Sequence, residues 1–249
     1  MPGSETSAGE NRLRCLAIVP AFNERAAIAS VIEELNALRW LDVVVIDDGS
    51  GDGTAAEAVR AGARVVSLPF NLGIGTAVQT GYLIAQDAGY DVAIQVDGDG
   101  QHPPSEIALL VAALQSGEAD LVIGSRFLEA GTFRSTRGRR IGIVLLARIV
   151  SLATRSHLTD TTSGFRAAGP RAIALFAAAY PHDYPEVESV VVAHRAGLRV
   201  REIPVHMHER KGGRSSITPV RSLYYMIKVS MAIGMVLLRR PAEVPEAPS

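Results

Sequence analysis

The sequence predicts an α/β domain: a mostly parallel central sheet with helices on both faces, then amphipathic helices toward the C-terminus. Three observations predict it. Short β-rich runs alternate with helical patterns through the first half of the chain. Those runs are continuously apolar, as strands covered on both sides must be. Polar residues gather where the runs end, at 23–24, 47–48, 71, 97–99 and 125–126.

Taken in order, strands are expected over residues 15–19, 43–47, 64–68, 92–96 and 121–124. Helical patterns fill 25–38, 54–61, 75–88 and 105–115. In the first of these, Ile28, Val31, Ile32 and Leu35 recur at three- and four-residue spacing and give one face to bury. After residue 126 the pattern changes. A basic loop leads to an apolar helix over 141–153, an irregular stretch over 160–168, and an Ala-rich helix over 171–179. A helix over 186–196, a strand over 200–206, a basic loop over 209–217 and a last helix complete the chain.

The 249 residues suffice for one large α/β domain, and 47% hydrophobic with 20% charged residues is ordinary for a globular protein. A formal net charge of −1 argues against a general nucleic-acid binder. The lone Cys15 opens an apolar run, which excludes a disulfide framework and fits a core residue. The first residues lack the basic and apolar regions of a signal peptide, so a cytoplasmic location is expected. The longest apolar stretches, over 141–152 and 223–238, are interrupted by Arg148 and Lys228, so no membrane span is expected.

Asp97-Gly98-Asp99 carries the strongest chemical signal. Two carboxylates one small residue apart, just past a buried strand, can converge on a hard divalent cation, Mg²⁺ or Mn²⁺. A solvent-exposed acidic turn has the same composition, and only the strand in front and the other strand-end groups favour a site. Two other motifs fail. Asp48 opens a stretch like a calcium loop, but Val59 stands where a bidentate glutamate is required. Gly73-Ile74-Gly75 begins a dinucleotide fingerprint, but Val78 stands in place of the third glycine.

Several motifs then occur in order: Val19-Pro20-Ala21-Phe22-Asn23-Glu24, Asp47-Asp48-Gly49-Ser50 with Asp52-Gly53-Thr54, Asn71-Leu72-Gly73-Ile74-Gly75, and Asp97-Gly98-Asp99. As a set they resemble the family 2 glycosyltransferases. Gln101-His102-Pro103-Pro104, Gly124-Ser125-Arg126, the run Asp160-Thr161-Thr162-Ser163-Gly164-Phe165-Arg166, and Arg210 with Gly213 and Ser215 are most similar to polyprenyl- or dolichyl-phosphate sugar synthases. The resemblance implies a GT-A fold over residues 13–217, an interface helix over 218–240, and disordered ends at 1–12 and 241–249.

It also implies a hexose moved with inversion from a nucleotide-sugar, GDP-mannose by default, to polyprenyl phosphate at the inner membrane face. Pro20, Ala21, Phe22, Glu24, Asp47, Asp48, Asn71, Gly75 and Gly98 would form the nucleotide-sugar pocket, with Asp48 favoured over Asp47 at the base. Asp97, Asp99 and Gln101 would surround the metal and diphosphate. Arg126, Arg137, Arg139, Ser163, Arg210 and Ser215 would hold the acceptor phosphate. That phosphate needs cations rather than a base, because it is already largely ionised. A hydroxyl acceptor, with UDP-glucose or another donor, would instead need a base, for which Glu186 and Glu188 are the candidates. Capping offers ordinary reasons for Asn23, Glu24, Asp52 and Thr54, and the helix dipole offers one for Glu186 and Glu188. One departure from the family pattern falls after Ser215, where Ser216 replaces an expected lysine.

In the last helix Arg221, Lys228 and Arg239 share a face of an otherwise apolar surface, which suits a membrane interface. Core packing or self-association of the chain would use the same surface. A non-catalytic nucleotide-sugar- or metal-binding module is disfavoured, since the metal-site side chains are all present.

Overall fold

Strand β1 (Cys15–Ala21) shows how the domain is organised. Its side chains alternate between two cores: Leu16 and Ile18 point into one, while Cys15, Ala17, Val19 and Ala21 point into the other. Both cores are fully formed, so β1 is buried along its whole length. The computed structural model describes residues 13–128, 137–208 and 219–245.

Beyond β1 the chain runs through α1 (Ile28–Asn36), β2 (Leu41–Asp47), α2 (Thr54–Arg60), β3 (Arg64–Ser67), α3 (Ile74–Asp87) and β4 (Val92–Gln95). A short 3₁₀ turn leads into α4 (Ile107–Gln115), then β5 (Leu121–Ser125) and α5 (Arg137–Thr154). Next come β6 (Arg166–Ala168), α6 (Pro170–Ala178), α7 (Pro185–Arg195), β7 (Val200–Pro204) and α8 (Pro219–Leu238). Among the described residues the strands form one sheet in the order β3-β2-β1-β4-β6-β5-β7. Every pairing is parallel except those of β6, which runs antiparallel to both β4 and β5. The core on one face packs α1, α2 and α4; the other packs α3, α6, α7 and the inner sides of α5 and α8.

The expected strands and helices are all present, with ends shifted by a few residues. The expected fold class holds. Two differences matter. The irregular stretch over 160–168 ends in β6, a three-residue strand opening on a charged residue. Helix α1 starts at Ile28 rather than near residue 25, with no side-chain cap.

Among the described side chains, α5 and α8 each bury one side and expose the other. Leu146, Ala147 and Val150 of α5 and Val229 and Ile233 of α8 are buried. Val144, Leu145 and Leu152, with Met231, Met235 and Leu238, are exposed. Among the described residues no helix is long and apolar enough to cross a membrane. Residues 241–245 carry no regular structure, yet Ala242 and Val244 pack against the core.

Candidate active site

The strand order places β1 between β2 and β4, so the chain turns one way after β1 and the other way to reach β4. A crevice opens beyond the carboxyl ends at such a reversal, and ligands of open α/β sheets bind there. Here it holds a cavity of about 280 Å³. Pro20, Ala21 and Phe22 from the end of β1 wall it, with Glu24 just beyond. Asp48 comes from the end of β2, Asn71, Gly73, Ile74 and Ala77 from the entry to α3, and Asp97, Gly98 and Asp99 from the end of β4. Residues far apart in sequence, singled out by motif, therefore share one cavity.

Two of the expected pocket residues stand elsewhere. Asp47 is buried within the structure and is not part of the cavity wall. Gly75 serves packing, since a Cβ there would meet the Pro181 carbonyl at 2.5 Å. Asp48 stays on the wall, but its carboxylate is engaged by the next loop. Oδ1 accepts the Leu72 N–H at 2.8 Å and Oδ2 the Gly73 N–H at 2.9 Å. It thereby fixes the loop that carries Asn71. The turn at 23–25 is stitched to the loop after β2. Ser50 accepts the Asn23 N–H, Thr54 the Glu24 N–H, and Asp52 the Arg25 N–H. These contacts replace the helix-capping roles open to Asn23 and Glu24, and leave Asn23 at φ 56, which asparagine tolerates.

The Asp97–Asp99 turn has the chemistry of a cation site. Among the described residues Asp97 Oδ1 is buried with no hydrogen-bond partner, an unmet demand that a cation would satisfy. Asp99 is also buried, and its Oδ1 accepts the Gln101 N–H at 3.1 Å. Among the described residues no three His, Cys, Asp or Glu side chains converge to hold a metal by themselves. The fit is therefore to a hard cation held by one or two carboxylates and shared with substrate phosphate. Gln101 is not on the cavity wall; its carbonyl accepts the His208 N–H at 2.9 Å. His102 is 6% exposed, and its Nδ1 accepts the Asp97 N–H at 3.0 Å. Burial pushes its pKa down, against the pull of Asp97 and Asp99.

The acceptor side departs most from expectation. Arg126 is buried and bidentate on Asp160, Nε to Oδ2 at 2.7 Å and Nη2 to Oδ1 at 2.8 Å, with Thr162 Oγ1 at 3.0 Å. Its guanidinium, through Nε and Nη2, holds the 160–163 loop. Ser163 is buried too, and its Oγ accepts the Phe165 N–H. Glu202 on β7 grips the same loop from behind, accepting the Thr159 and Asp160 N–H groups at 2.7 Å. Beneath lies Arg166, 1% exposed, donating to the Ser163 and Thr161 carbonyls and to Ser189 Oγ.

Of the two glutamates, the structure separates the roles. Glu188 Oε1 accepts the Tyr184 N–H at 3.0 Å and lies in a cleft against α8. Glu186 keeps company with Asp97 and Arg166; burial raises its pKa, Arg166 opposes and Asp97 adds to the rise. Arg137 and Arg139 lie in the first turn of α5. Arg210 and Ser215 lie outside the described residues.

His102, Glu202 and Arg166 hold the site together, yet none was singled out by sequence for a role. His102 stood within the 101–104 motif and Arg166 closed the 160–166 run, each quoted only for the resemblance.

Residues 16–174 match the family described as Glycosyl transferase family 2. Polyprenol monophosphomannose synthase of Mycolicibacterium smegmatis is 30% identical over 92% of this chain and 93% of its own length. Undecaprenyl-phosphate mannosyltransferase of Micrococcus luteus is 32% identical over 83% of this chain and 88% of its own. Among solved structures, glucosyl-3-phosphoglycerate synthase from Mycobacterium tuberculosis, in complex with Mn²⁺, UDP-glucose and phosphoglyceric acid, has a TM-score of 0.69 at 25% identity. That likeness covers 95% of this chain and 82% of the other.

Proposed function

Because this chain belongs to glycosyl transferase family 2 and is a glycosyltransferase of GT-A fold, we propose that it moves a hexose from a nucleotide-sugar to polyprenyl phosphate at the cytoplasmic face of the membrane. Mannose from GDP-mannose is the donor group we favour. One observation carries the donor half: the buried Oδ1 of Asp97, unpartnered among the described residues and set in a cavity that the ends of β1, β2 and β4 enclose. Asp97 and Asp99 would hold a divalent cation, Mg²⁺ or Mn²⁺, which when bound neutralises the diphosphate as the sugar C1–O bond breaks. Pro20, Ala21 and Phe22 would line the nucleotide, and Asp48 would keep the Asn71 loop in place around it.

The names of the two mannosyltransferase relatives support a lipid phosphate acceptor. So do the exposed apolar side chains of α5 and α8, which suit a protein resting on a bilayer. A groove of about 680 Å³ between α5 and the 157–159 segment, lined by Val144, Ala147, Leu152 and Leu158, adds apolar surface on the acceptor side. With Arg126 engaged by Asp160, the phosphate contacts fall to Arg137, Arg139 and Arg210. The test is a thermal-shift panel of GDP-, UDP- and dTDP-sugars with Mg²⁺ or Mn²⁺. A GDP-sugar at about 100 times its Kd should stabilise the protein by about 2.7 kcal/mol. No shift with any nucleotide and either metal would remove the pocket assignment.

A second reading is favoured by Glu186, whose raised pKa beside Asp97 suits a base for a hydroxyl acceptor. Glu186→Gln separates the two. With a phosphate acceptor, kcat should fall no more than a few-fold; a base lost from a hydroxyl acceptor costs about 10²–10⁴-fold.

A further inference from the structure

Asp97 and His102 face each other across the turn that leaves β4. The His102 Nδ1 accepts the Asp97 N–H at 3.0 Å, so the proton of the neutral ring sits on Nε2. Nε2 stands 3.6 Å from Asp97 Oδ2, beyond hydrogen-bond length but within electrostatic reach. One ring therefore addresses both the main chain and the carboxylate of the same aspartate.

Gly164 lies against the same carboxylate. A Cβ at this position would lie 3.0 Å from Asp97 Oδ1 and 3.2 Å from Oδ2, closer than side-chain atoms comfortably come. Asp97 thus lies close to both the imidazole and the Gly164 position. The imidazole is stacked on Phe165 with ring centroids 4.6 Å apart and planes 18° from parallel. Phe165 is fully buried and directly follows Gly164, so one loop both supports the imidazole and lies against the carboxylate. That loop is the one clamped by the Arg126–Asp160 pair and by Glu202.

We infer that His102 is a positioning residue for the metal, fixing Asp97 in the rotamer that presents its carboxylate to a divalent cation. The inference rests on the reading of Asp97 as a metal ligand. Histidine touches neither cation nor sugar in this role. It removes the cost of ordering the ligand, and losing such support weakens metal affinity by about 10–100-fold.

The test measures Mn²⁺ binding to the full chain by electron paramagnetic resonance, with GDP and with UDP in turn. His102→Phe keeps the ring and its stack but loses both nitrogens. His102→Asn keeps an acceptor near the Nδ1 position and loses the Nε2–H. The Mn²⁺ Kd should rise from parent to His102→Asn to His102→Phe, reaching about 10–100-fold. Nucleotide affinity measured without metal should stay unchanged, and turnover of His102→Phe should recover toward the parent as Mn²⁺ is raised. Folding is checked by the metal-free melting temperature. If His102→Phe does not fold, His102→Asn against the parent decides the matter, with a weaker Kd expected. Folded variants that bind Mn²⁺ as tightly as the parent overturn the positioning role alone. A parent that takes up no Mn²⁺ with either nucleotide overturns the metal reading of the cavity, and this inference with it.

Discussion

Asp97→Asn is expected to lower sugar transfer by on the order of a thousandfold, the scale of losing one preorganised electrostatic contact at a developing charge. The same substitution should leave the metal-free melting temperature unchanged or slightly raised. Both expectations come from one geometry. Among the described residues Asp97 Oδ1 is buried without a partner, and the Glu186 pKa, raised chiefly by burial, is raised further by the like charge of Asp97. Asparagine removes the repulsion and keeps the shape, so Gly164 and His102 still fit around it. A site arranged for a cation is stabilised by losing charge and disabled by the same change. Melting curves with and without Mn²⁺, beside a radiolabelled transfer assay, check the pair. A melting temperature lowered by several degrees would mean that Asp97 is structural.

Asp160→Ala should cost about 3–5 kcal/mol of stability, because breaking a buried ion pair strands the remaining charge. For a chain of this size that corresponds to a fall in melting temperature of about 6–20 °C. Arg126 is 9% exposed and Asp160 fully buried, and Asp160 also accepts the Arg126 main-chain N–H at 3.1 Å. Replacing both partners by apolar residues, Arg126→Met with Asp160→Leu, should recover much of the loss, since no charge is then left alone. Urea unfolding of the two variants measures the difference. An Asp160→Ala protein of parental stability would show that the Arg126 guanidinium is free to serve a ligand after all.

Most of the fold was legible because its signals are local. Apolar runs such as 15–19 and 43–47 are long enough to name a buried strand, and helix periodicity named the covering layers. β6 escaped because Arg166-Ala167-Ala168 has no strand-like run; it is a strand only because β4 and β5 leave it a place. The donor cavity was legible for a related reason. Parallel strands bring their carboxyl ends together, so polar residues at those ends must meet. The acceptor side was not. Nothing near Arg126 announces Asp160, its partner 34 residues away, and a lone arginine at a strand end reads equally well as a phosphate ligand. The choice between Asp47 and Asp48 follows from strand alternation, which sends successive side chains to opposite faces. Glu186 and Glu188 needed only more care. Two residues along a helix turn through roughly 200°, so both could not face one site.

The insertion of β6 also bears on how the protein is made. Strands β3, β2, β1 and β4 pair among themselves, and every residue they need precedes residue 96. β4 and β5 are not neighbours; each waits for a strand that begins at Arg166. A nascent chain that has emerged only through α5 therefore lacks the strand that covers the β4 margin. Val92-Ala93-Ile94-Gln95 is short, uncharged and fully buried in the native state, the kind of margin that recruits strands from other chains. Translation at ~5–20 residues per second crosses the 70 residues between β4 and β6 in about 4–14 s. The enzyme passes through that interval each time it is synthesised, and a chaperone that shields sheet edges should engage it there.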